Sequence, residues 1–242
     1  MHESRYSRIS KKLKAEALQS WNDNSSLIIA YLALVGAIMW TYVGEQLLPG
    51  LVQFGELDRT NFWGIFTSIF IHGSPSHLEG NAETLVWMLI IFVMLTEVNP
   101  DLFLKGSRSF LFWAPMISAI VANLVFYLLA PRATSFGASG VVYAALGVAI
   151  ALALAGLVPE LSAVVKCQSL TSGQKTQLEF NLLLSVPFIA LVWISPSGFL
   201  GVDMGVNAFV HDLGFMGGLF SGYVYFTIQR HRSQGALERL RV

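Results

Sequence analysis

The chain has 242 residues, of which 54% are hydrophobic and only 12% charged; soluble domains carry about a quarter charged residues, so a water-soluble globule is disfavoured. With 15 basic and 15 acidic residues it lacks the basic footprint of a nucleic-acid binder, and that partner is set aside. The single cysteine, Cys167, can form no internal disulfide and has no companions for a metal cluster.

A membrane-spanning helix needs about 20 mostly apolar residues, because in hydrocarbon every backbone N–H and C=O must be paired within the segment. Six stretches qualify: 27–43, 77–95, 110–129, 140–157, 182–194 with a few residues on each side, and 207–228. The fold expected is an all-α, six-helix membrane bundle. Residues 1–25 form a basic cytosolic tail, 26–228 the membrane domain, and 229–242 a second basic tail. The first tail is too charged for a signal peptide, and its acids Glu3, Glu16 and Asp23 argue against an organelle transit peptide.

Lys and Arg favour cytoplasmic loops. With the N-terminus inside, the cytosolic side receives Arg5, Arg8, Lys11, Lys12, Lys14, Lys105, Arg108, Lys166, Lys175, Arg230, Arg232, Arg239 and Arg241. Only Arg59 and Arg132 stay outside. Both termini are then cytosolic, and the second, fourth and sixth spans start at the outer face. The connection 44–76 carries Leu47, Leu48, Phe54, Phe62 and Phe66 but is broken by Pro49, Gly50 and Gly55. It is read as lying in the outer interface, with Trp63 at headgroup depth.

Ionisable and amide side chains are costly inside a bilayer and tend to mark a site. His72 and His77 stand at the outer start of the second span, and His211 at that of the sixth. Asn81 lies one helical turn below His77 on the same face. At the outer start of the fourth span is Gly137-Ala138-Ser139-Gly140, where first-turn N–H groups lack helical partners and favour negative charge. Taken singly, each polar residue is more often a cap or an interfacial group. Together they supply a nucleophile, a general base and oxyanion donors at one depth. Gly214, Gly218 and Gly222 on the sixth span, and Gly140, Ala144, Gly147 and Ala151 on the fourth, form small-residue ridges that let two backbones approach. Tyr143, one turn below Ser139, is placed to stack on the His211 ring.

In this combination the sequence resembles the rhomboid intramembrane serine proteases. The resemblance rests on His77-x-x-x-Asn81, on Gly137-Ala138-Ser139-Gly140 with Tyr143, and on His211-x-x-Gly214-x-x-x-Gly218. It implies that Ser139 is the nucleophile and His211 its base, with His77, Asn81 and the Ser139 amide as the oxyanion hole and Tyr143 as support. It implies no cofactor and no metal. Substrates would be transmembrane proteins entering sideways from lipid past the fifth helix and cut in or near their spans, in a prokaryotic plasma membrane with the site facing outward. The sequence sets no oligomeric state. Three features depart from the family pattern: Trp63-Gly64 where many members have Trp-Arg, Ser68 where some have histidine, and Glu79 and Glu83 in a span. Asp212 follows His211, but adjacent helical residues point about 100° apart, so it is not assigned as a third catalytic member. Two alternatives are a catalytically silent rhomboid-like binding protein, disfavoured because serine and histidine are both present, and a small transporter. The transporter is disfavoured because the polar groups stay in one leaflet.

Overall fold

The computed structural model describes residues 5–103, 108–130, 133–194 and 208–239, so Glu3, Lys105, Arg132, Asn207 and Arg241, used above, lie outside the described residues. The long helices are α1 (Arg5–Leu47), α4 (Pro75–Val98), α5 (Phe110–Leu129), α6 (Ser139–Val165), α7 (Ser172–Ile194) and α8 (Ala208–Arg239). Two short helices, α2 (Leu51–Gly55) and α3 (Gly64–Thr67), and a 3-10 turn at Ser68–Phe70 lie between α1 and α4. Each long helix overlaps one of the six apolar stretches. Among the described residues, α1 (from Leu18), α4, α5 and α6 are long and apolar enough to cross a membrane. In α8 the polar His211 and Asp212 and a run of glycines dilute the apolar content.

The N-terminal segment is itself helical. α1 runs unbroken from Arg5 across the 25/26 boundary for 43 residues, about 64 Å at 1.5 Å per residue. Asn24, inside that segment, is 1% exposed. It donates to Glu97 Oε1 (2.9 Å) and accepts from Thr96 Oγ1 (3.0 Å) on α4. A buried amide needs such partners, and these are more than 70 residues away. α8 likewise continues to Arg239, past residue 228.

α6 sits at the centre, against α8, α5, α7 and α4, and its buried residues Val141, Ala145, Val148, Ala149 and Leu152 form the core with Leu85, Phe92 and Leu95 of α4. Added Cβ atoms show how close α6 and α8 run: on Gly214 one would lie 2.6 Å from the Gly140 carbonyl, and on Gly222 2.6 Å from Ala151 Cβ. One on Gly218 would overlap the Ala144 carbonyl, and one on Gly147 the Phe215 carbonyl. The two small-residue ridges are thus one helix-to-helix seam.

Polar groups also gather at the opposite end of the bundle. Asn99 Nδ2 donates to Asn181 Oδ1 (3.1 Å), and Asn99 Oδ1 accepts from Asn181 Nδ2 (2.8 Å) and Gln177 Nε2 (2.9 Å). These groups satisfy one another, and between them and the end that carries His77 and Ser139, α4 and α6 present the apolar Leu85, Phe92, Val148 and Leu152.

Candidate active site

α4 begins as its sequence dictates. Ser74 is the N-cap, in extended conformation, its Oγ accepting from the His77 N–H at 3.3 Å; Pro75 follows in the first turn, where its missing N–H costs nothing. His77 and Asn81 then project from one face of α4, one turn apart. Ser139 is the first residue of α6, and His211 lies in the first turn of α8.

Ser139 Oγ and His211 Nε2 are 2.7 Å apart. His211 is only 5% exposed, and its ring stacks on Tyr143 with centroids 4.4 Å apart and planes 17° from parallel. A hydroxyl at this distance can give its proton to Nε2 in the tautomer protonated at Nδ1. Val210, beside the histidine, packs near Gly140, where a Cβ would sit 3.1 Å from Val210 Cγ1.

His77 and Asn81 converge on the same loop. Gly137 has φ 111°, a conformation in which glycine is strongly favoured. A Cβ there would come within 2.5 Å of His77 Cε1 and Nε2 and 3.4 Å of Asn81 Nδ2. Asn81 Nδ2 is buried and donates no hydrogen bond among the described residues. An orphaned buried donor is costly, and Asn81 shares the wall of one cavity with Ser139. The His77 ring is oriented by a 2.9 Å contact from Nδ1 to the His72 carbonyl. A carbonyl only accepts, so Nδ1 carries the hydrogen, and Nε2 is a donor only when the ring is doubly protonated.

His72, 1% exposed, supports the loop from beneath. Its Nδ1 donates to the Phe70 carbonyl (3.2 Å), leaving Nε2 as an acceptor 3.5 Å from the Ala138 N–H. Burial, with a smaller push from His77, lowers its pKa to about 4, in keeping with a neutral ring that uses both nitrogens. These residues border a cavity of about 680 Å³ lined by Ser76, His77, Asn81, Ser139, Tyr143 and His211, together with Gly80, Thr84, Thr134, Ser135, Phe136, Val142 and Leu146. Ser76 reaches the cavity wall, whereas His72 and Ser74 hold backbone instead. Glu79 and Glu83 are exposed, and Trp87 Nε1 donates to Glu83 Oε1 at 3.4 Å. Asp212 has a buried Oδ1 with no hydrogen-bond partner among the described residues.

The departures in the first loop have a physical account. A Cβ on Gly64 would fall 2.5 Å from Leu57 Cα and 2.6 Å from the Glu56 carbonyl oxygen, so the loop path leaves no room for a side chain there. Trp63 stays at the loop surface, its Nε1 donating to the Phe54 carbonyl at 2.8 Å. Ser68 Oγ accepts from Asn123 Nδ2 on α5 (3.1 Å), and its carbonyl accepts from the Gly137 N–H (2.8 Å). Leu57 and Ser135 form an antiparallel bridge, N–H to carbonyl in both directions at 2.9 and 3.0 Å. The first loop is thereby tied to the strand of chain that leads into Gly137 and Ser139.

A family model, the Rhomboid domain, matches residues 59–228. The chain belongs to the rhomboid family. The matched rhomboid domain begins in the first loop and runs through α8 to the end of the sixth apolar stretch, so it contains the whole cavity. With its long apolar helices, this rhomboid is an integral, multi-pass membrane protein. No curated protein matches the chain.

The sequence reading did not find Glu45, Gly80, Thr84 or Phe136. Gly80 and Thr84 could have been placed from helical spacing, since they flank the His77–Asn81 face. Phe136 and Glu45 depend on the path of loops, which no periodicity encodes.

Proposed function

We propose that this rhomboid is an active intramembrane serine protease that hydrolyses a peptide bond in or near the transmembrane segments of membrane-protein substrates, using Ser139 and His211 as a dyad. The observation that carries this reading is the 2.7 Å approach of Ser139 Oγ to His211 Nε2. His211 Nε2 takes the hydroxyl proton as Oγ bonds to the substrate carbonyl carbon, and the carbonyl electron pair moves onto oxygen. Asn81 Nδ2, the Ser139 amide and the His77 ring donate to that oxyanion. His211 then passes its proton to the leaving amine, the C–N bond breaks, and water releases the acyl group by the reverse relay. The macrodipole of α6, with its positive end at Ser139, favours the developing charge.

Gly137, Gly140, Gly214 and Gly218 keep the loop and the α6–α8 seam close enough for this geometry. All six long helices span in this reading, with both termini cytosolic, in a prokaryotic plasma membrane. The cavity opens to the outer side, and substrates arrive from lipid beside α7. Labelling of the purified protein with a fluorophosphonate serine probe tests the reading: wild type labels, and both Ser139→Ala and His211→Ala lose labelling. Persistent labelling of Ser139→Ala would remove the nucleophile.

A further inference from the structure

We infer that Glu45, in the last turn of α1, is a positioning residue for the oxyanion donors, acting on His77 through the His72–Gly73 peptide. The role rests on the protease reading above and extends its site to the first helix. Glu45 Oε1 accepts from the His72 N–H and Oε2 from the Gly73 N–H, each at 2.9 Å. The second of these bonds matters most. The Gly73 N–H and the His72 carbonyl belong to one planar peptide unit, and that carbonyl accepts from His77 Nδ1 at 2.9 Å. A carboxylate thus grips one edge of a rigid plate, and the His77 ring hangs from the other. A carboxylate accepting from the N–H also shifts electron density towards the carbonyl oxygen and strengthens it as an acceptor, because bonds in a chain polarise one another.

The turn needs such an anchor. Gly73 has φ 66°, and a Cβ on it would lie 3.3 Å from Phe136 Cε2. Inside the turn the His72 carbonyl is also shared with the Ser74 N–H at 2.7 Å. Without Glu45 two N–H groups lose a charge-assisted acceptor, and the peptide plane is free to rotate with the ring attached. Glu45 sits on a different helix from every catalytic group, so α1 becomes part of the apparatus that aims His77.

The test is the rate of fluorophosphonate labelling at Ser139, normalised to folded protein by thermal unfolding in detergent. Deleting an oxyanion donor costs about 100-fold to 1000-fold, so letting one swing is expected to cost about 10-fold in Glu45→Ala, with a smaller loss in Glu45→Gln, which keeps one accepting oxygen. In a His77→Ala background, adding Glu45→Ala should lower the rate by less than about 2-fold, because the residue it orients is gone. Equal losses in both backgrounds would make Glu45 merely structural and overturn the inference. If Glu45→Ala does not fold, the same cycle is read with Glu45→Gln. Should the wild type fail to label, the protease reading falls on its own, and histidine nitrogen NMR then decides the contact. A His77 Nδ1–H signal shifted or lost in Glu45→Gln sustains the positioning, and an unchanged one overturns it.

Discussion

Gly64→Ala sets two effects of known size against each other. Alanine in a helix is favoured over glycine by about 1 kcal/mol, though a helix of only four residues, Gly64–Thr67, realises little of that. Against it, the new methyl would lie 2.5 Å from Leu57 Cα and 2.6 Å from the Glu56 carbonyl oxygen, where carbon contacts normally settle near 3.5 to 4.0 Å. Both obstacles are backbone, and Leu57 is pinned to Ser135 by two hydrogen bonds, so no rotamer change relieves the overlap. Overpacking of this kind costs about 1–3 kcal/mol and outweighs the propensity gain. For a chain of this size that lowers the melting temperature by about 2–4 °C per kcal/mol. Thermal unfolding in detergent should therefore show a clear drop for Gly64→Ala. Serine-probe labelling should slow as well, because the strain passes through the Leu57–Ser135 bridge to the loop before Ser139. A variant as stable and as reactive as wild type would refute the reasoning and would mean that the loop yields freely.

Three further outcomes are expected. Asn81→Ala should lower labelling by about 100-fold to 1000-fold with little change in melting temperature, since its Nδ2 has no hydrogen-bond partner among the described residues; a large loss of stability would assign the amide a structural job instead. Gly218→Leu should abolish labelling and destabilise by more than about 3 kcal/mol, because a side chain there meets the Ala144 backbone and wedges the α6–α8 seam, as a melting comparison with Gly36→Leu, at a site with open space, will read. The pKa of His72 is lowered from 6.5 to about 4 in the fold, so the unfolded chain binds more protons between those values and stability rises with pH there. Melting temperature should accordingly fall as pH drops from about 6.5 toward about 4, a slope that His72→Asn reduces; an unchanged slope in that variant would discard the assignment.

The helices were legible because hydrocarbon imposes one signal, a long apolar run, and all six runs became helices. The meeting of Ser139, His211, Tyr143, His77 and Asn81 was legible for a related reason: helical spacing fixes which face each residue occupies, and small residues on α6 and α8 announce a close approach. What escaped lies in contacts without a period. The polar start of α1 gives no sign that it continues the helix of the first apolar stretch or that Asn24 finds Glu97 and Thr96 on α4. Glu45 drew no notice, because its partners are the backbone amides of residues 27 and 28 positions away. Gly64 looked like the loss of an arginine, whereas the loop path excludes any side chain there.

The glycine seam between α6 and α8 has a mechanical consequence. A serine–histidine contact carried on two separate rods stays in register only if the rods cannot slide, and carbonyl-to-glycine interlocking along several turns opposes sliding. On the protease reading, sideways entry of a substrate would then be absorbed elsewhere, and among the described residues α4 and α7 share only a sparse border. In that reading the edge yields while the glycine seam serves as a fixed spine.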